Sequence, residues 1–190
     1  MERTDLDGAA TDLVIIAPYS SQWPASFREL AEPIRVALGE VALRIDHIGS
    51  TSVPGLAAKP VIDIQISVAS FDPLDAFRLP LEDLGYVYRS DNPERTKRYF
   101  REPPGAPRTH IHVRRAGSWN EQFALLFRDF LHAYPRVATE YARLKQELAE
   151  RYREDRHGYT DAKAPFIWAT MVQADEWAGR TGWTPGLPDA

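Results

Sequence analysis

The sequence contains no cysteine among its 190 residues. That absence removes disulfides, thiolate metal sites and cysteine nucleophiles together, and it suits a reducing compartment. No apolar run approaches the ~20 residues needed to span a bilayer, and Met1 to Thr11 is acidic and polar rather than signal-like. A cytoplasmic protein without membrane contact is expected. Glycine and proline, at 11 and 15 residues, are too few for a collagen-like or low-complexity chain, and 44% hydrophobic content is too high for a disordered one. Neither an internal repeat nor an interdomain linker is visible. A single domain is therefore expected over 14–178, with 1–13 and 179–190 as flexible tails.

Charge is modest overall and concentrated locally. The net charge is -4, yet Arg95 to Arg115 holds seven basic residues against the single acid Glu102, a local +6 that leaves -10 for the remainder. A basic segment on an acidic protein fits a confined anionic ligand better than duplex nucleic acid, whose binding usually makes the whole domain basic. A solvated strand face is the competing reading.

Hydrophobic spacing places the elements. Phe27, Leu30, Ile34 and Leu38 recur at helical intervals after Pro24 and stop at Gly39, with Pro33 expected to kink the helix. Val41 to Ile48 alternates as a strand, with Val41, Leu43, Ile45 and His47 opposite Arg44 and Asp46. In Val61 to Val68, period two sets Ile62, Ile64, Ile66 and Val68 on one face and Asp63, Gln65 and Ser67 on the other, where water or a site should meet them. A short helix from Asp72 to Leu84, open to interruption at Pro80, is followed by strands near Tyr86 to Arg89, Arg98 to Arg101 and Thr109 to Arg114. Helical periodicity then covers Glu121 to His132, a segment opened by Pro135, and Lys163 to Ala178, with Thr160 or Asp161 read as the last N-cap. Strands gathered before helices indicate an α+β fold, a small mixed sheet of about five strands with a helical C-terminal half.

The chemistry concentrates in HIGSTSVPGLAAKPVID, His47 to Asp63. A Gly-Ser turn after a strand presents amides and the hydroxyls of Ser50, Thr51 and Ser52, a pattern suited to phosphate and equally to an ordinary turn. Lys59 follows, before a strand whose polar face begins at Asp63. A carboxylate there needs a partner, with Lys59 the simplest choice. His110 and His112 project from one face of the Thr109 strand. Beside Asp63 they would form a two-histidine, one-carboxylate set for Zn²⁺, Mn²⁺ or Fe²⁺, or a hydrogen-bonded polar patch. The charged run from Glu140 to Arg156 reads as the outer face of an amphipathic helix, without assigned function.

The motifs HIGSTSVPGLAAKPVIDI, LGY (Leu84 to Tyr86), HIHV (His110 to Val113), FRDFL (Phe127 to Leu131) and YTDAK (Tyr159 to Lys163) resemble those of the bacterial GrpB-like family, over roughly Ile15 to Trp177. The resemblance implies a nucleotidyltransferase-like fold, with a related domain fused to dephospho-CoA kinase in some bacteria. It implies that Gly49 and Ser50 form a phosphate-contacting turn and that Asp63 is the first metal-holding acid. Gln65 stands where that superfamily carries a second acid, which argues against ordinary two-Mg²⁺ transfer. The expected function is binding of a nucleotide or other phosphorylated small molecule at the sheet edge. Asp63, His110 and His112 are the catalytic or metal-holding candidates. Gly49, Ser50, Thr51, Ser52, Lys59, Arg98 and Lys163 are the phosphate contacts, and Mg²⁺, Mn²⁺ or Zn²⁺ the possible ions. The alternatives are a noncatalytic accessory module acting on a protein partner and a transition-metal enzyme.

Overall fold

The computed structural model describes residues 13–190, so the expected N-terminal tail falls, apart from Leu13, outside the described residues. Helix α1 (Trp23–Leu38) begins with Pro24 in its first turn, where a missing N–H costs nothing, and ends at Gly39, whose φ is +50°. It runs through Pro33 without interruption because that residue lies on the exposed side, where the freed carbonyl meets water. Five strands follow: β1 (Arg44–Ile48), β2 (Ile62–Val68), β3 (Val87–Tyr88), β4 (Arg98–Arg101) and β5 (Thr109–Arg115). Between β2 and β3 lies α2 (Asp75–Asp83), unbroken at Pro80; α3 (Trp119–Ala133), α4 (Pro135–Arg151) and α5 (Arg156–Thr181) complete the chain. This is the mixed α+β arrangement that the residue spacing implied.

The sheet order is β1-β2-β5-β4-β3, with β2 and β5 parallel and the other pairs antiparallel. Its apolar face, formed by Ile45, Ile62, Ile64, Ile66, Phe100, Ile111 and Val113, packs under α1 and α2 in one core with Phe27, Ile34, Phe77 and Leu81. Burying each such side chain contributes roughly 1.5–3 kcal/mol. The three C-terminal helices pack on one another through smaller clusters. One of these joins Val53 and Leu56 of the β1–β2 connection to Leu131 of α3 and Ala138 and Tyr141 of α4. The Gly-Ser turn is thereby clamped between sheet and helices.

Four sequence expectations are corrected. The polar face of β2 does not meet water along its length: Gln65 and Ser67 are fully buried under α3, where Ser67 donates to Glu121 Oε1 and the Gln65 amide to the Glu121 carbonyl. β1 starts at Arg44, leaving Val41 and Leu43 exposed. Its Asp46 is buried, accepting two hydrogen bonds from the Arg44 guanidinium at 2.8 and 3.1 Å. Helix α5 starts seven residues before Lys163, capped by Asp155, which accepts from the Gly158 amide at 2.8 Å, so Thr160, Asp161 and Lys163 lie inside the helix. The segment expected as a tail from Gly179 first continues α5 to Thr181 and then returns along β1. There Asp189 Oδ2 accepts from the His47 amide and from Arg128, and the Asp189 and Ala190 amides donate to the Ile45 carbonyl.

Candidate functional site

In the parallel register Asp63 sits directly opposite His110, and Gln65 opposite His112. All three side chains of the expected cluster stand on the face turned away from the main core, and the structure brings them together. Asp63 Oδ1 accepts from His110 Nδ1 at 3.1 Å and His112 Nε2 at 3.2 Å. Burial alone would raise the Asp63 carboxyl, but the two imidazole hydrogen bonds outweigh it and hold the group below the usual carboxylate range. Burial pushes His112 down to about 4, against the opposing pull of Asp63, so it is neutral near pH 7. The other ring nitrogens, His110 Nε2 and His112 Nδ1, are buried and have no hydrogen-bond partner among the described residues. Tyr99, opposite His112 on β4, packs its ring 5.5 and 5.4 Å from the two imidazoles.

One ligand atom from each of Asp63, His110 and His112 lies within 4.8 Å of the others. The carboxylate-to-imidazole separations of 3.1 and 3.2 Å are close to the ~3.3 Å between ligands on a tetrahedral zinc ion. The donor set fits one transition ion. It does not fit a pair of Mg²⁺ ions, which need more carboxylate than Asp63 beside a neutral Gln65 supplies.

The Gly-Ser turn leans directly on this cluster. At Gly49, with φ of +73°, a Cβ would lie 2.5 Å from Asp63 Oδ2, so only glycine permits the approach. Thr51 is buried, donates to the Val61 carbonyl and is bonded to His47 Nε2, each at 3.0 Å; Ser52 donates to the Gly49 carbonyl at 2.6 Å. Both hydroxyls hold the turn itself. Ser50 lines a pocket of about 200 Å³, and so does Thr51. Arg98 is not brought there: it lies over the Phe71 ring in a separate groove.

Asp63 and His110 form one wall of this pocket, and Lys59, Lys145, Arg156 and Lys163 converge on it. The ammonium groups of Lys59 and Lys163 lie 4.7 and 4.4 Å from the centre of the same ring, Tyr159. Lys145 is almost wholly buried, donating to the Ala57 carbonyl at 2.5 Å and lying 4.5 Å from the Tyr141 ring. Burial, reinforced by the charge of Lys163, pushes it down to about 7; burial and then the charge of Lys59 push Lys163 down to about 8. Sequence reasoning missed Lys145, Arg156 and Tyr159. The available signal was that Lys145 lies four residues after Tyr141 and three before Leu148, on the apolar stripe of α4 rather than its charged face.

Residues 13–173 match the family described as GrpB protein. The chain belongs to the GrpB family. The chain is 41% identical over 170 residues to the UPF0157 protein PA4798 of Pseudomonas aeruginosa, covering 87% of itself and 69% of that protein. A dephospho-CoA kinase of Mycolicibacterium paratuberculosis is 35% identical over 198 residues, a match covering 90% of this chain and 48% of the kinase. The GrpB chain thus spans about half the length of that relative, and of YqkA from Bacillus subtilis as well. The crystal structure of GrpB from Enterococcus faecalis superposes with a TM-score of 0.78 at 33% identity, over 86% of this chain and 99% of that one. A more distant likeness, TM-score 0.51 at 14% identity over 72% of this chain and 45% of the other, is to the MgGTP-bound Cid1 poly(U) polymerase, and it shows a nucleotidyltransferase-like fold. Among the described residues no helix is long and apolar enough to cross a membrane.

Proposed function

We propose that this GrpB protein binds a phosphate-containing small molecule, a nucleotide or a phosphorylated metabolite, in the pocket between the Gly-Ser turn and helices α4 and α5. The supporting observation is the convergence of Lys59, Lys145, Arg156 and Lys163 on a space shared with one acid, Asp63. Burying these cations and then gathering them around a small space costs free energy, and both effects, burial first, lower Lys145 and Lys163. An anion in the pocket relieves that cost. Ser50 hydrogen-bonds the ligand at the rim, and Gly49 allows the turn to approach Asp63.

Asp63, His110 and His112 would hold a single Zn²⁺ or Mn²⁺, which when bound supplies Lewis acidity next to the phosphate. The residues themselves orient the ligand and exclude water through Tyr99 and Tyr159. Such a site suits chemistry at one ion or ligand binding without turnover, and the neutral Gln65 disfavours two-ion nucleotidyl transfer.

Calorimetry with ATP, GTP, CTP, dephospho-CoA and inorganic pyrophosphate, with and without Mn²⁺ or Zn²⁺, tests the reading. Binding of at least one phosphate compound is expected, weakened about tenfold or more by Lys163→Met, since a charged hydrogen bond contributes roughly 1.5–3 kcal/mol. Failure of all of them to bind at millimolar concentration refutes it and leaves the accessory-module reading. Elemental analysis should show about one equivalent of transition metal in the native protein, lost in His112→Ala.

A further inference from the structure

The pocket leaves most of the arginine-rich segment unused, and the structure divides that segment in two. Lys97 and Arg114 pair with Glu94 at 2.8 and 3.2 Å, and Arg101 and Arg108 with Glu102, both at 3.0 Å. The other three, Arg95, Arg98 and Arg115, have no ion pair among the described residues and line one groove of about 490 Å³. That volume is within the ~300–1,000 Å³ range of small-molecule sites. The groove lies beyond the C-terminal ends of β2 and β5. Asp63 is near the start of β2, so at ~3.3 Å per residue the two sites are roughly 20 Å apart along the strands.

Aromatic side chains flank the three guanidiniums. Arg98 lies 4.2 Å over the Phe71 ring and is fixed there by hydrogen bonds from Nη1 to the Arg95 and Lys97 carbonyls, while its other guanidinium nitrogens carry no hydrogen bond among the described residues. Trp119, in the first turn of α3, is 66% exposed at the groove. At that exposure its ring is accessible to stack on a planar ligand. Ser118, Asn120 and the groove's one acid, Asp72, add hydrogen-bonding groups of both polarities.

We infer that this groove is a second nucleotide-binding site, in which Arg95, Arg98 and Arg115 take the phosphate and Trp119 stacks on the base. Asp72 and Asn120 are placed to bond ribose hydroxyls or base amino groups, which an inorganic anion lacks. The ligand chemistry, a base joined to phosphate, is shared by a free nucleotide and by the unpaired end of a nucleic-acid strand. The site does not depend on the pocket at Asp63.

The test uses the full chain. Binding of ATP, UMP and inorganic pyrophosphate is measured by calorimetry, and that of a fluorescein-labelled oligouridylate of about ten nucleotides by anisotropy. Native protein is compared with Arg95→Ala/Arg115→Ala, Trp119→Ala and, as a control on the other pocket, Lys163→Met. These groove positions are exposed, so the variants should fold, which circular dichroism checks. The expected result, read from oligouridylate anisotropy, is a tenfold or greater loss in the double arginine variant and about a tenfold loss in Trp119→Ala, with oligouridylate binding in Lys163→Met within twofold of native. Equal affinity for ATP and the oligonucleotide assigns a free nucleotide. Tighter oligonucleotide binding, with a salt slope reduced by ~2 in the double variant, assigns a single strand. Pyrophosphate binding as tightly as ATP without any effect of Trp119→Ala overturns the inference. So does loss of all binding in Lys163→Met, or absence of binding at millimolar concentration.

Discussion

If phosphate binds where Lys145 and Lys163 converge, binding must draw protons from solution, and the amount can be worked from the site. Lys145 titrates at about 7 and Lys163 at about 8 in the free protein. At pH 8 they are therefore roughly one-tenth and one-half protonated, and an anion that returns both above pH 10 takes up about 1.4 protons. At pH 6 both are already charged and uptake falls to about 0.1. Affinity should fall only about twofold between pH 6 and 7 and then steeply, by roughly 50-fold between pH 8 and 9 as uptake approaches two protons. Calorimetry in buffers of different ionisation enthalpy measures the uptake directly. Lys145→Met should reduce it at pH 8 to about 0.5. The same substitution should stabilise the free protein. Holding a lysine at about 7 rather than 10.4 corresponds to about 4 kcal/mol at neutral pH, against which the lost bond to the Ala57 carbonyl counts roughly 1.5–3 kcal/mol. A net gain of about 1–2 kcal/mol in urea unfolding is expected. Proton uptake of zero at pH 8 with affinity constant from pH 6 to 9 would refute the reasoning that buried cations build the site.

Gly49→Ala should drive a methyl group into the Asp63 carboxylate at a backbone angle that alanine tolerates poorly. Destabilisation of about 2 kcal/mol or more is expected in chemical denaturation, together with lost phosphate binding. His47, buried against Phe27, and His112 are both held neutral to about pH 4 by burial. The unfolded chain takes up those protons near pH 6.5, so stability is full above that value and falls as pH drops towards 4. The loss at pH 5 is roughly 2 kcal/mol from each histidine, and urea midpoints at pH 7 and 5 should show half of it missing in His47→Gln. Glu121 carries the Ser67 hydroxyl, the Gly117 amide and the Gln122 side chain beneath α3. Glu121→Ala should cost about 3 kcal/mol by stranding them, and a calorimetric melting temperature unchanged from native would contradict that account.

Much of the candidate cluster was legible because a period of two fixes which side chains share a face. Ile62, Ile64 and Ile66 had to face the core, so Asp63 could not; His110 and His112 had to project together. Spacing could not supply the parallel pairing of β2 with β5, which sets Asp63 against His110. Nor could it say which helix covers the polar face. Gln65 and Ser67 look solvent-facing from alternation, yet a buried glutamate on a helix 54 residues away satisfies Ser67. Lys145 and Arg156 were concealed within a run of charges whose average is that of any exposed helix. The start of α5 was misread because Asp155, Thr160 and Asp161 are all N-cap residue types, and the cap that formed was the one whose oxygen could reach the Gly158 amide.

The return of Asp189 and Ala190 to β1 also bears on self-association. A five-stranded sheet has two outer strands, and an outer strand with free amides and carbonyls is a template for a neighbouring molecule. At one margin β3 is only two residues long and offers little to copy. At the other, the Ile45 carbonyl and the His47 amide are already occupied by Asp189 and Ala190, so the ladder cannot be extended there by a second molecule unless those residues let go.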